Sequence, residues 1–192
     1  MSTDSNTPSL VRVDLVPFGG LQDENATIHW PVSKKTMSVL GFEEALDAAG
    51  LLHFGKLSLQ VVSLPAWVGL KLLAHSERAA AKDLADVDFV LSNYANCVDD
   101  ERVYQALDAT DAHSFENSGP HVIGLDLRTI FGAETRRVLS SALDTLLAGG
   151  DSGPLARLVS PNVDDWDAAH ERIRQKFRRL ACGLQGSLSE GT

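Results

Sequence analysis

Between Leu57 and Tyr94 the apolar residues change their period, and that change constrains the fold more than any other feature of the chain. Leu57, Leu59 and Val61 alternate as a half-buried strand does. Ser63 then offers a hydroxyl to the free amides of a helix start, and Pro65 falls in the first turn, where a missing N–H costs little. Trp67, Leu70, Leu73 and Ala74 follow at helical spacing. A second helix from about Ala79 to Tyr94 carries Leu84, Val87, Phe89, Val90 and Leu91 on its apolar stripe. A strand feeding two consecutive helices predicts a mixed α/β (α+β) chain.

The flanking segments are read the same way. Residues 1–9 read as a disordered lead-in and 10–16 as a strand. Asn25–Trp30 is a second strand, stopped by Pro31, and Phe42–Ala49 is a short helix ended by Gly50. Beyond residue 95 the texture turns helical. Residues 101–108 read as a helix, 110–122 as a loop, and Arg136–Leu147 as a helix terminated by Gly149-Gly150. Gly149–Gly153 reads as a hinge. A last helix starts with Ser160 as cap and Pro161 in its first turn, with Asp164 and Asp165 at the positive end of its dipole. It runs to about Leu184, leaving 186–192 as a tail. The chain thus divides into 10–95 and a helical region, 96–185.

Composition excludes several classes. A net charge of −9 and a pI near 5.0 argue against a protein that coats nucleic acid. No apolar run approaches the roughly 20 residues that span a bilayer. The N-terminus lacks the charged and apolar regions of a signal peptide. Cys97 and Cys182 lie far apart without Cys-x-x-Cys spacing, which fits a reduced, cytoplasmic protein.

Three groups of residues bear on chemistry. Asp14 sits inside the apolar run Val11–Val16, closed by Pro17 and Gly19-Gly20, and a charge there is costly unless paired or bound to a cation. Its plain alternative is an ion pair with Arg12 or a nearby lysine. Asp86 and Asp88 do not make a chelating pair, because residues two apart on a helix point about 200° from each other. Lys71, His75, Arg78 and Lys82 are spaced by four, three and four, and on a continuous helix they share one face. Such a face offsets the charge of a triphosphate; the alternatives are a solvated face, or a bend at Ala79-Ala80-Ala81. Near the C-terminus, Arg172, Arg174, Lys176, Arg178 and Arg179 flank a buried stripe of Ile173, Phe177, Leu180 and Leu184. That pattern reads as a docked helix with a solvated charged face, or as a surface for tRNA, phosphate or an acidic partner. His113, His121 and His170 show no metal-ligand spacing. Trp166 and Phe177 read as core, and Ser76 and Ser118 lack a triad pattern.

The Val11–Gly20 segment, His29-Trp30-Pro31, Met37, Leu40–Ala45, Ser63-Leu64-Pro65 and the set Lys71, Arg78, Lys82, Asp83 and Asp86 together resemble the AbiEii nucleotidyltransferase toxin family, within the DNA polymerase beta-like superfamily. The resemblance covers about Val11–Tyr94. It implies that 10–95 is a nucleotidyltransferase-like core with a small mixed sheet flanked by helices, and that 96–185 forms a helical bundle. It implies Mg²⁺-dependent transfer of a nucleotide from an NTP to RNA or protein, often within a toxin–antitoxin pair. Asp14 takes the place of the family's third metal-binding carboxylate. Lys71, Arg78, Lys82, Asp83 and Asp86 line or brace the nucleotide site, with Asp83 and Asp86 orienting the basic side chains. The family's other two carboxylates belong to a Gly-Ser…Asp-x-Asp pattern, which the thirteen residues before Asp14 do not form. The expectation is a site incomplete in this chain alone, completed by a second polypeptide. The alternative is a non-catalytic interaction module, a homo-oligomer or a complex with an antitoxin-type partner, in which an uncovered strand edge seeks another chain.

Overall fold

The computed structural model describes residues 15–108 and 115–186. It is mixed α+β: seven α-helices and two small antiparallel sheets among the described residues. Strands β1 (Thr27–His29) and β2 (Thr36–Ser38) pair with Ile28 opposite Met37. Helix α1 (Phe42–Asp47) follows, then β3 (Gly50–Phe54) and β4 (Leu57–Val61), a hairpin with Leu52 opposite Leu59. The remaining helices are α2 (Leu64–Arg78), α3 (Ala81–Asn93), α4 (Asp100–Asp108), α5 (Phe115–Ile130), α6 (Ala133–Ala148) and α7 (Trp166–Gln185). Ser63 caps α2 by accepting from Ala66 N–H at 3.3 Å, with a proline in the first turn, as the sequence implies.

One hydrophobic cluster joins α2 and α3 to α5, α6 and α7. Val68 and Leu72 of α2, Leu84 and Val87 of α3, Ile123 and Leu127 of α5, Leu139 and Leu143 of α6, and Phe177 and Leu180 of α7 are fully or almost fully buried. A fully buried side chain of this size stabilises by about 1.5–3 kcal/mol relative to exposure. The buried stripe of α2 is Val68, Leu72 and Leu73, whereas Trp67, Leu70 and Ala74 lie at its margin. Phe89, read as part of the α3 stripe, is 69% exposed. It lies two residues, about 200° around the helix, from both Val87 and Leu91, which are buried, so its side chain points away from the core.

Several boundaries differ from the sequence reading. Residues 115–122, read as loop, begin α5, with Pro120 inside the helix. Ser118, Gly119, Pro120 and His121 are all buried, so tertiary packing outweighs local propensity there. Gly119 allows contact with α3's exit: a Cβ on it would lie 2.9 Å from Ala95 N. The last helix starts at Trp166, not near Ser160, because Asp165 provides the cap, accepting from Ala168 N–H at 2.9 Å. Ser160 instead accepts from Asn162 N–H in a turn. Gly50 does not end a helix but opens β3, after α1 has closed at Ala48. Residues 10–14, the greater part of the first expected strand, lie outside the described residues, and Leu15-Val16 are not in a strand.

Glu44 ties the two parts of the chain together. Its Oε1 accepts from Gly132 N–H and its Oε2 from Thr135 Oγ1, each at 2.6 Å. The carboxylate therefore satisfies one amide and one hydroxyl at the positive end of α6, the amide from 88 residues away. Neither exposed Cys97 nor buried Cys182 forms a disulfide among the described residues. Among the described residues no helix is long and apolar enough to cross a membrane.

Candidate functional site

The elbow between α2 and α3 concentrates opposite charges. Ala79 adopts left-handed backbone at φ 50°, which costs a residue with a Cβ roughly 1–2 kcal/mol. Two hydrogen bonds hold it. Ala79 N–H donates to His75 O at 2.8 Å, and buried His75 donates through Nδ1 to Ala80 O at 3.0 Å. A carbonyl only accepts, so the proton sits on Nδ1. The reversal folds the first turn of α3 back onto the last turn of α2.

Asp83 is thereby set between two cations while only 2% exposed. Arg78 donates from Nε to Asp83 Oδ2 at 2.7 Å and from Nη2 to Oδ1 at 2.6 Å, a fork-to-fork pair. Lys71 Nζ donates to Asp83 Oδ1 at 3.2 Å and to Asp86 Oδ2 at 2.8 Å. The Arg78 hydrogen bond, and then that of Lys71, hold the Asp83 carboxyl below its ordinary range against the opposing effect of burial. For Lys71, burial opposes the charge, but the bonds to Asp86 and Asp83 prevail and raise its pKa. The Arg78 guanidinium is raised by Asp83. Two cations and two anions balance, and only the cations keep donors in reserve.

A cavity of about 1000 Å³ lies against this network. One wall is α2, with Trp67, Leu70, Lys71 and Arg78; the other is the β1–β2 hairpin and its approach, with Trp30, Lys35 and Met37. Lys71 Nζ sits 5.1 Å from the Trp67 ring centroid, within reach of a cation–π attraction. The Arg78 side chain is 60% exposed, so N–H groups not engaged by Asp83 are open to the cavity side. Lys71 is 22% exposed and more fully committed.

Four of the residues singled out in the sequence, Lys71, Arg78, Asp83 and Asp86, meet in this one network. Lys82 does not join it: Ala79 breaks the helix, so the stripe is not one continuous face, and Lys82 is exposed on α3 outside the cavity lining. His75 faces the interior. Asp14 lies outside the described residues. Lys35 also lines the cavity, and the sequence does not reveal it because the strand it precedes, Thr36–Ser38, is too short to show alternation. Among the described residues no group of three or more His, Cys, Asp or Glu side chains is placed to hold a metal ion.

The C-terminal basic helix is more occupied than a solvated face would be. Arg174 donates to Leu147 O at 3.1 Å, Arg178 pairs with Glu171, and Lys176 pairs with Asp88 and donates to Ser92 Oγ at 2.9 Å. Phe177 is core as expected, while Trp166 is half-exposed with its ring 4.8 Å from that of His170.

The family model described as nucleotidyl transferase AbiEii toxin, type IV TA system, matches residues 23–172. The match contains the whole Lys71–Asp86 network and starts after Asp14. No curated protein and no solved structure matches the chain.

Proposed function

The chain belongs to the AbiEii nucleotidyl transferase toxin family of type IV toxin–antitoxin systems, and from that premise we propose that it binds a nucleoside triphosphate between α2 and the β1–β2 hairpin for transfer of its nucleotide to RNA or protein. The observation that supports this reading is the network itself: Arg78 and Lys71, fixed by a buried carboxylate, on the wall of a cavity of about 1000 Å³. In such a transfer the acceptor oxygen attacks the α-phosphorus and pyrophosphate leaves, so charge gathers on the leaving group. Preorganised cations stabilise that charge without reorganising during the reaction. Arg78 supplies the open N–H groups, Lys35 a second mobile charge, and Trp67 and Trp30 flat apolar surfaces for a base.

Magnesium would supply Lewis-acid activation of the triphosphate. The described carboxylates beside the cavity do not fit it: Asp83 and Asp86 already accept from Lys71 and Arg78, and Glu77 in the cavity wall has no second and third ligand beside it among the described residues. In this reading the metal needs Asp14 and further carboxylates, and Asp83 and Asp86 stay structural braces. Thermal unfolding with each of the four NTPs, with and without Mg²⁺, tests the proposal, since a ligand of the native state raises its stability. Arg78→Ala is expected to weaken NTP binding about tenfold or more, in line with the loss of a charge-assisted hydrogen bond, while Lys82→Ala leaves it unchanged. Equal affinity in parent and Arg78→Ala would remove the phosphate role.

One observation favours the interaction-module reading beside this one. The register of β3 and β4 places Leu52, Phe54, Leu57, Leu59 and Val61 on one face, and every residue of both strands is exposed. An isolated two-stranded hairpin is marginal in water, so a second copy, an antitoxin or a complementing chain is the natural cover. Light scattering after gel filtration is expected to show an assembly that Leu52→Lys dissociates. A monomer at every concentration sinks the self-assembling form.

A further inference from the structure

A second cavity, of about 690 Å³, lies between α3, α5, α7 and residues 158–163, and it shares no lining residue with the first. Its size falls within the range of small-molecule sites, roughly 300–1,000 Å³. Leu158, Val159, Val163 and Ile173 give it apolar walls, and Asn117, Arg172, Gln175 and Lys176 give it a polar rim.

Arg172 and Gln175 still offer donors on the rim. Lys176 is held upright by its pair with Asp88 and by Ser92 Oγ, so its charge is compensated. Gln175 uses its carbonyl oxygen to accept from Arg178 at 3.3 Å, which leaves its amide N–H groups. Arg172 makes no ion pair and no side-chain hydrogen bond among the described residues, although Arg174 and Arg178 of the same helix are engaged. Glu171, next to Arg172 in sequence, pairs with Arg178, and Asp165 accepts from Ala168 N–H as the helix cap. One uncompensated guanidinium beside amide donors and an apolar wall selects one acid group carried on an apolar body.

We propose that this cavity binds a compact organic monoanion, with Arg172 pairing to its acid group and Val159, Val163 and Ile173 enclosing its apolar part. The site is independent of the nucleotide reading. The probe is 2-naphthoate, titrated calorimetrically into the full chain, with 2-naphthylmethanol as the uncharged control. Saturable binding of one naphthoate per chain is expected, about tenfold weaker in Arg172→Gln, where a charge-assisted bond is lost. Ala169→Leu narrows the cavity without changing charge and is expected to abolish binding, while the thermal midpoint shows that the chain remains folded. ATP is expected not to displace the probe. Binding unchanged in both variants, displacement by ATP, or no saturable binding at millimolar probe would overturn the proposal.

Discussion

Gly124→Val is expected to destabilise the chain by about 3 kcal/mol, the upper part of the range for overpacking a core. For a chain of this length that is roughly a 6–12 °C fall in thermal midpoint. Helices α5 and α7 cross with glycine against glycine. A Cβ on Gly124 would stand 2.3 Å from Leu180 O and 2.8 Å from Gly183 Cα, and one on Gly183 would stand 2.3 Å from His121 O. The obstacles are backbone atoms, which no rotamer change moves away. The two helices must separate, and Phe177 and Leu180 then lose their contacts in the core. Alanine alone normally gains about 1 kcal/mol over glycine inside a helix, so Gly124→Ala isolates the clash: a midpoint below the parent's means that crowding exceeds the propensity gain. Gly50→Ala is the control, because a Cβ there meets nothing within 4 Å. A Gly124→Val midpoint equal to the parent's would mean that the helices do not cross this closely.

The same crossing shows what the sequence conceals. Periodicity finds α7, whose Ile173, Phe177, Leu180 and Leu184 repeat at helical spacing and are all buried. It does not find the N-terminal half of α5, where Ser118, Gly119 and Pro120 have poor helix propensity and are fixed by burial against other elements. Likewise the alternation in Leu57–Val61 locates a strand correctly, yet it implies one covered face, and the hairpin has none among the described residues. Alternation reports which side is apolar, and cannot say which partner covers it. At the elbow, spacing groups Lys71 and Arg78 with His75 and Lys82, and Asp83 and Asp86 join the set only through the family resemblance. The bend at Ala79 that removes Lys82 is one of the readings the sequence leaves open, and it is not decided there because alanine rarely marks a left-handed residue. Lys35 and Trp30 reach the cavity through pairing of two three-residue strands, a contact no local pattern encodes.

Asp83→Asn is expected to lower stability by about 2–3 kcal/mol, and to do so in a pH-dependent way. Removing one partner of a buried ion pair costs about 3–5 kcal/mol; the lower figure applies because Arg78 is largely in water, where screening weakens its share. The Asp83 carboxyl is held below its ordinary value of 3.8 in the folded chain. Its contribution is therefore fully present above that value and is lost as pH falls through the lower, folded-state pKa. Acid unfolding followed by circular dichroism should show a steeper loss of midpoint below that ordinary value in the parent than in the variant; parallel curves would remove Asp83 as the buried brace. The same substitution also separates brace from metal ligand. If Asp83 acts by fixing Arg78 and Lys71, NTP binding weakens in EDTA as much as in Mg²⁺, because the cations lose their positions in either medium. If Asp83 instead ligates magnesium, affinity in EDTA is the same in parent and variant, and only the metal-dependent increment disappears.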